Sequence, residues 1–221
     1  MRGLSLALAM LFVFGCAGEP SIDQSPDAEL SFDGLSPVRN SAFQRAWINP
    51  EVDLSQYSKI LLGEPDFEFR AVRETQSTAA ARRGSVSEFY ISEQNRTKLI
   101  ETVNDSFRKE LEASQSFTLT DQPDPDTLIL VGSLLDIVSS VQPESAGSAG
   151  LYLRSLGEAT LVLELRDSLS GETLYRAADH KRIARQHGMI RVTPVTTWQE
   201  VGRWASRWAV RVREGLDSVH E

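Results

Sequence analysis

Hydrophobic and polar positions divide the chain into three stretches. Behind Met1–Arg2–Gly3, the segment from Leu4 to Phe14 carries no charge, and Gly15–Cys16 follows at once. Such a run is too short for a bilayer-spanning helix, which needs about 20 apolar residues. It has the basic start, apolar centre and small residue at the cut that mark an export signal. Residues 16–40 are polar, acidic and punctuated by Pro20 and Pro26, with few apolar side chains. They predict a flexible acidic tether, because such a stretch buries too little surface to offset its ordering entropy. Residues 41–221 alternate between period-2 and period-3.6 patterning and predict one domain with a sizeable core.

Within that domain the pattern reads β-α-β-β-β-β-α. Tyr57–Leu62 predicts a strand that Pro65 interrupts and Phe67 and Phe69 continue, so a bend or bulge is expected. Residues 71–87 read as a long loop. A first helix is expected over 93–113 behind Ser92 as N-cap, with Leu99, Ile100, Val103, Phe107 and Leu111 as its apolar stripe. Phe117 and Leu119 alternate in a short strand. The nearly continuous apolar stretch Thr127–Val138 predicts a central strand buried on both faces. Residues 142–150 form a Ser/Gly/Pro loop. Residues 159–166 put Leu161, Leu163 and Leu165 on one face. Asp167–Gly171 is a hairpin turn, and residues 172–178 return antiparallel, with a possible continuation to Arg185. A second helix is expected from a Thr197–Glu200 capping box, burying Val201, Trp204, Ala205, Trp208, Val212, Leu216 and Val219. The simplest assembly is a two-layer α+β domain: an antiparallel or mixed sheet of about five strands with both helices on one face.

Charge and cysteine count change the picture at its edges. Without residues 1–15 the chain holds 22 Lys+Arg against 31 Asp+Glu, a formal charge of −9. That balance disfavours nucleic acid as a partner and adhesion to anionic lipid by charge alone. The single cysteine, Cys16, excludes an internal disulfide and completes a lipobox-like Val13–Phe14–Gly15–Cys16, in which Phe14 is bulkier than usual. The expected reading is residues 1–15 as signal peptide and Cys16 as the site of lipidation. Several acyl chains there would anchor the protein firmly. The alternative is a plain secretory signal cut near Ala17 or Gly18. Ala17, rather than Asp, after the cysteine favours the outer membrane, with the domain facing the periplasm.

Candidate chemistry is sparse. His180 and His187, beside Asp179, fall on opposite faces if they share a strand, which is poor geometry for a metal. No Gly-x-Ser-x-Gly elbow or phosphate cradle exists; Gly147–Ser148–Ala149–Gly150 lies in the loop. Glu64, Asp66 and Glu68 alternate along one strand face and would serve a carboxylate-dependent hydrolase only with an acidic partner across a cleft. Arg203, Arg207 and Arg211 recur every four residues on the second helix beside Trp204 and Trp208. Arginine beside tryptophan suits an anionic or carbohydrate ligand; the plainer reading is core tryptophans with snorkelling arginines.

The stretch Trp47–Leu62, with Pro50, Asp53, Ser55, Tyr57 and Lys59, and the hairpin Gly157–Glu172, with Leu161, Leu163, Glu164, Asp167, Ser168 and Gly171, carry a likeness. On these segments the chain resembles a family of uncharacterised bacterial lipoproteins, a domain of unknown function. The resemblance implies envelope location and a lipid anchor, but no activity, cofactor or metal. The expectation is therefore a non-catalytic binding or assembly module with an envelope protein as possible partner. A carrier or receptor for an anionic or carbohydrate ligand, and a periplasmic hydrolase, stand as alternatives.

Overall fold

The computed structural model describes residues 19–72, 88–142 and 150–220. The expected loop at 71–87 lies almost wholly outside the described residues, as do the signal segment, Cys16 and Ser148.

The strands are β1 (Ser21–Ile22), β2 (Ser36–Arg39), β3 (Arg45–Ile48), β4 (Lys59–Leu62), β5 (Asp66–Phe69), β6 (Thr118–Thr120), β7 (Thr127–Ser139), β8 (Tyr152–Leu153), β9 (Ser155–Asp167), β10 (Thr173–Ala184) and β11 (Ile190–Arg191). The helices are α1 (Glu93–Leu111) and α2 (Pro194–Asp217), with short 3-10 turns at Leu54–Gln56 and Ser218–His220. Nine strands form one mixed sheet ordered β1-β2-β3-β10-β9-β7-β4-β6, with β5 also on β7; β8 and β11 pair separately. The α+β class and the two helices match expectation. The sheet is larger than the expected five strands because short edge pairings extend it at both sides. Four-residue and shorter segments such as β1 and β2 have too little alternation to be read from sequence.

The centre is the antiparallel set β7-β9-β10. The parallel neighbours β4 and β5 lie in succession along one edge of β7, where Lys59–Leu62 pairs Thr127–Leu130 and Asp66–Phe69 pairs Ser133–Ile137. The break at Pro65 thus redirects one interrupted strand. Leu161, Leu163 and Leu165 point, as expected, to the face shared with Leu128, Leu130, Leu134 and Ile137. Leu99, Val103 and Leu111 of α1 and Val201, Trp204, Ala205, Trp208, Val212 and Leu216 of α2 close over that face. Central β7 is not buried on both sides, however. Its other face, Ile129, Val131, Ser133 and Leu135, is only half-covered, because no second helical layer lies there.

Two further expectations are corrected. Helix α2 starts at Pro194, four residues earlier than a Thr197 cap would set it. Thr193 is its N-cap, and Thr193 Oγ1 accepts the Thr196 N–H (3.1 Å) while Thr196 Oγ1 accepts the Thr193 N–H (3.1 Å). Pro at the first helical position needs no partner for the N–H it lacks, so the earlier box wins over Thr197–Glu200. Residues 19–40 are also not a free tether. Asn40 Nδ2 donates to the Glu19 carbonyl (3.3 Å), Asp23 N–H donates to the Pro37 carbonyl (2.8 Å), and β1 and β2 pair onto β3. Local Asx and Ser turns (Asp23 to Ser25 N–H, Ser31 to Leu35 N–H) and buried Leu35 supply what the low hydrophobicity of the stretch withholds.

Candidate functional site

The helix stripe separates by direction. Trp204 and Trp208 are 6% and 2% exposed, with ring centroids 4.2 Å apart, and pack toward the sheet. They present nothing to a surface ligand, so the composite Arg203–Trp204–Arg207–Trp208–Arg211 patch does not exist as one. The 3.6-residue period places the tryptophans inward and the arginines outward. Two of the arginines are occupied. Arg203 Nη2 donates to Glu200 Oε1 (2.7 Å), which also accepts Arg185 Nε (2.6 Å). Arg211 Nη1 donates to Asp179 Oδ2 (3.0 Å), which also accepts the Trp208 indole N–H (2.8 Å). Arg207 stands exposed.

Sequence reasoning did not single out these buried carboxylates. Asp179 is 0% and Glu200 3% exposed. A signal for the first was present: Tyr175, Ala177 and Asp179 share the inward parity of β10, so an acid at that place must find cations and donors inside. Lys181 Nζ lies 3.2 Å from Oδ1 as an ion pair, while Oδ1 accepts no hydrogen bond among the described residues. Each acid ties α2 to β10 or its continuation.

The remaining candidates disperse. Glu64, Asp66 and Glu68 are exposed. His180 Nδ1 sits 3.1 Å from Thr160 Oγ1 on the uncovered sheet face, and His187 is exposed beyond β10. No group of three His, Cys, Asp or Glu able to hold a metal occurs among the described residues. That uncovered face is laced by ion pairs instead. Arg176 bridges Asp33 (2.7 Å) and Glu164 (2.8 Å), while Arg70 reaches Asp136 (Nε to Oδ1, 2.7 Å) and Glu88 (2.7 Å). The Arg176 guanidinium holds the Asp33 carboxyl down to about 2. Burial pushes the Glu164 carboxyl up, but Arg166 and Arg176 outweigh it and leave it below its ordinary value.

The two stretches quoted for the family likeness meet at one end of the sheet. Asp53 Oδ1 accepts the Ser55 N–H (3.0 Å) and starts the 3-10 turn that leads into β4. Asp167 Oδ1 accepts the Leu169 and Ser170 N–H groups (3.1 and 2.7 Å), and Gly171 takes a φ of 73° to close the hairpin. Tyr57 from the first stretch then donates its phenol to Asp167 Oδ2 (3.0 Å), and Asn49 Nδ2 donates to Glu172 Oε1 (3.0 Å). Burial first, then the hydrogen bond to Asp167 and its charge, push the Tyr57 phenol up to about 12, so it stays a donor. With both carboxylate oxygens committed, this pair is a clasp between segments 110 residues apart rather than an acid–base couple.

Space between the layers is apolar. A cavity of about 370 Å³ opens between the first turns of α1 and α2 and the far ends of β7 and β9. Two smaller ones, about 280 and 220 Å³, lie by the last turns of α2 and beneath α1. No helix among the described residues is long and apolar enough to cross a membrane.

A family model described as "Protein of unknown function (DUF3313)" matches residues 27–212. The chain belongs to DUF3313. This bears out the expectation of a family without an assigned function, and DUF3313 membership assigns none. No curated protein matches the sequence. Among solved structures, a PelC dodecamer from Paraburkholderia phytofirmans is similar at 10% identity and a TM-score of 0.39, covering 77% of this chain and 97% of that one. A protein of family DUF330 from Xanthomonas campestris is similar at 12% identity and a TM-score of 0.41, covering 78% and 90%. A Helicobacter pylori protein described as a neuraminyllactose-binding hemagglutinin homolog is similar at 11% identity and a TM-score of 0.39, covering 78% and 89%. At such identity and score, none of these says what a DUF3313 chain binds or assembles with.

Proposed function

We propose that this DUF3313 chain is a lipid-anchored envelope protein, carried on the outer membrane and facing the periplasm, that acts as a non-catalytic binding or assembly module. The observation that carries the reading is Cys16, the single cysteine, placed directly behind an uncharged run with a basic start. The dispersal of the acids and histidines supports a binding role over a hydrolytic one: Glu64, Asp66 and Glu68 stand exposed without an acid facing them across a cleft among the described residues.

The structure adds a geometric consequence to that reading. The chain is held from Glu19 onward by the Asn40 side chain and by β1. Two residues, Ala17 and Gly18, separate Cys16 from Glu19, so three chain steps give a reach of about 10–11 Å when extended. A lipid on Cys16 therefore keeps the body close to the bilayer, with β1 and β2 as the membrane-proximal edge. The carrier reading for an anionic ligand loses its tryptophans to the core and, of the three stripe arginines, keeps Arg207 exposed and without an ion pair among the described residues.

Labelled palmitate supplied to cells making the protein should appear on the wild type and not on Cys16→Ala. Absence of label from the wild type, with an ordinary N-terminus downstream of residue 16 by mass spectrometry, would overturn the anchor.

A further inference from the structure

Acidic residues outnumber basic ones in this chain, yet residues 180–199 hold no Asp or Glu and carry Lys181, Arg182, Arg185 and Arg191 beside His180 and His187. Residues 150–157 are likewise free of acid and add Arg154. The two stretches meet in the β8–β11 ribbon, where Ile190 pairs Leu153 and Arg191 pairs Tyr152. Cross-strand partners share a face and neighbours along a strand alternate, so Tyr152, Arg154, Met189 and Arg191 stand together on the outward side. Leu153 and Ile190 turn inward, onto Leu156 and Val192. The Val192 N–H donates to the Leu151 carbonyl (2.8 Å), and Gly188 at a φ of 87° leads the chain into β11. This second, small core fixes the ribbon as a platform.

All four outward side chains are exposed, Tyr152 and Met189 to 50% and 51%, and Val195 follows in the first turn of α2 at 65%. Other cations nearby are occupied: Arg182 by Glu158 (2.9 Å), Arg185 by Glu200 (2.6 Å) and Lys181 by Asp179 (3.2 Å). Arg154 and Arg191 have no carboxylate partner among the described residues. Exposed apolar groups beside two unpaired arginines mark an interaction surface for a partner of negative charge. Tyrosine, methionine and arginine are the side chains that protein interfaces concentrate, while lysine is depleted there; both unpaired cations are arginine. Met189 and Val195 offer a sugar ring no aromatic face, which favours a polypeptide over an acidic polysaccharide. Distance separates the ribbon from a bilayer holding Cys16. Helix α2 starts three residues after Arg191 and runs 24 residues, about 36 Å, to the end where Leu216 and Val219 line a cavity with Pro20 and Ile22.

We propose that the outward face of the β8–β11 ribbon is the docking surface for an acidic polypeptide segment of a partner protein. Arg154 and Arg191 pair its carboxylates, for which the planar guanidinium gives two parallel hydrogen bonds, and Tyr152 and Met189 receive its apolar side chains. This deepens the binding-module reading and rests on its anchor only for the direction in which the ribbon points.

The probe is a fluorescein-labelled peptide of three Asp-Leu-Glu-Phe repeats, with its Asn/Gln counterpart as reference. Binding to the full-length mature protein in detergent is followed by fluorescence anisotropy at 0.15 M salt, where exposed charges more than about 8 Å apart are largely screened. Saturable one-to-one binding, at least tenfold tighter than for the Asn/Gln peptide, is the expected result. Arg154→Glu with Arg191→Glu should weaken it by about tenfold or more, and Tyr152→Ser by about fivefold, with the circular dichroism spectrum unchanged. If the charge reversal unfolds the ribbon, Arg154→Gln with Arg191→Gln replaces it and should weaken binding about fivefold. Arg108→Glu with Lys109→Glu makes the same change in net charge at the exposed end of α1 and should alter binding less than twofold. No saturable binding to the wild type overturns the proposal, as does unaltered affinity in the folded ribbon variants or an equal loss in the α1 variant. Displacement of the peptide by polygalacturonate at equal carboxylate concentration would overturn it in favour of a polysaccharide. None of these outcomes touches the palmitate labelling of Cys16, and absence of that label leaves the peptide binding standing.

Discussion

At the residue scale, the side chains that matter most are carboxylates tied to partners from distant segments. Asp179 lies inside with Trp208, Arg211 and Lys181 around it. Removing one donor leaves a buried carboxylate short of a hydrogen bond, and bonds to charged groups contribute about 1.5–3 kcal/mol. Trp208→Phe should therefore lower stability by about 2 kcal/mol in urea denaturation, beyond any effect of ring size; Trp204→Phe should cost less, since its N–H has no partner to lose. Asp33 offers a pH prediction. Its pKa in the folded state is depressed to about 2 from 3.8, so its contribution is complete above the unfolded value and is lost as pH falls from about 4 toward 2. The urea midpoint should fall across that window, and Asp33→Asn should lose about 1 kcal/mol at pH 7 and little near pH 2. A midpoint that declines just as far across that window in Asp33→Asn would remove this carboxyl from the explanation. Neither acid could be ranked from sequence alone, because Trp208 and Arg211 for Asp179 and Arg176 for Asp33 lie 29 to 143 residues away.

At the element scale, two local rules competed and structure chose between them. Both Thr193 and Thr197 could start α2, and Pro194 settles it by occupying the first helical position. Thr193→Ala should cost about 1 kcal/mol in thermal or chemical denaturation and Thr197→Ala only a few tenths; the reverse order would restore the later start. The β7–β9 pairing holds a second discriminating place. The register shifts between Leu135 and Val138, with Asp136 at a φ of 55°, and a Cβ on Gly157 would fall 2.4 Å from the Val138 carbonyl oxygen. Gly157→Ala must push the central pair apart, with a destabilisation of about 1–3 kcal/mol. Full stability in that variant would mean that the bulge relaxes freely. Long elements were legible: α1, β7, the β9–β10 hairpin and the inward parity of Leu161, Leu163 and Leu165 all follow from periodicity. The half-covered outer face of β7 was not legible. Its apolar residues pattern alike whether a second layer covers them or not.

At the scale of the whole molecule, the placement of residues 19–40 decides how the body relates to its proposed anchor. Ile22, Leu30 and Phe32 are exposed on this stretch, Phe32 to 92%, with the Arg176 guanidinium 4.5 Å from its ring centre. With only three residues before the fold begins, the acylated protein in vesicles should show strong energy transfer from a fluorophore on Gln24→Cys to an acceptor in the lipid headgroups. Inserting 20 Gly/Ser residues between Gly18 and Glu19 allows about 25 Å of separation and should weaken the transfer. Equal transfer in both proteins would show that another contact, not the short leash, sets the distance.

Much of this protein is determined locally, and local determinants can be read in order along the chain. The export-like start and Cys16, the acidic balance, the two helices, the long strands and the Asp53 and Asp167 turns depend on neighbours within a few residues. Tertiary structure alone decided the nine-strand sheet, the Tyr57–Asp167 clasp, the meeting of Trp208 with Asp179 and the cavity between the helix starts. Each of those depends on which distant segments share a space. A chain's period says which way a side chain points, and only the packed layers say what it meets there.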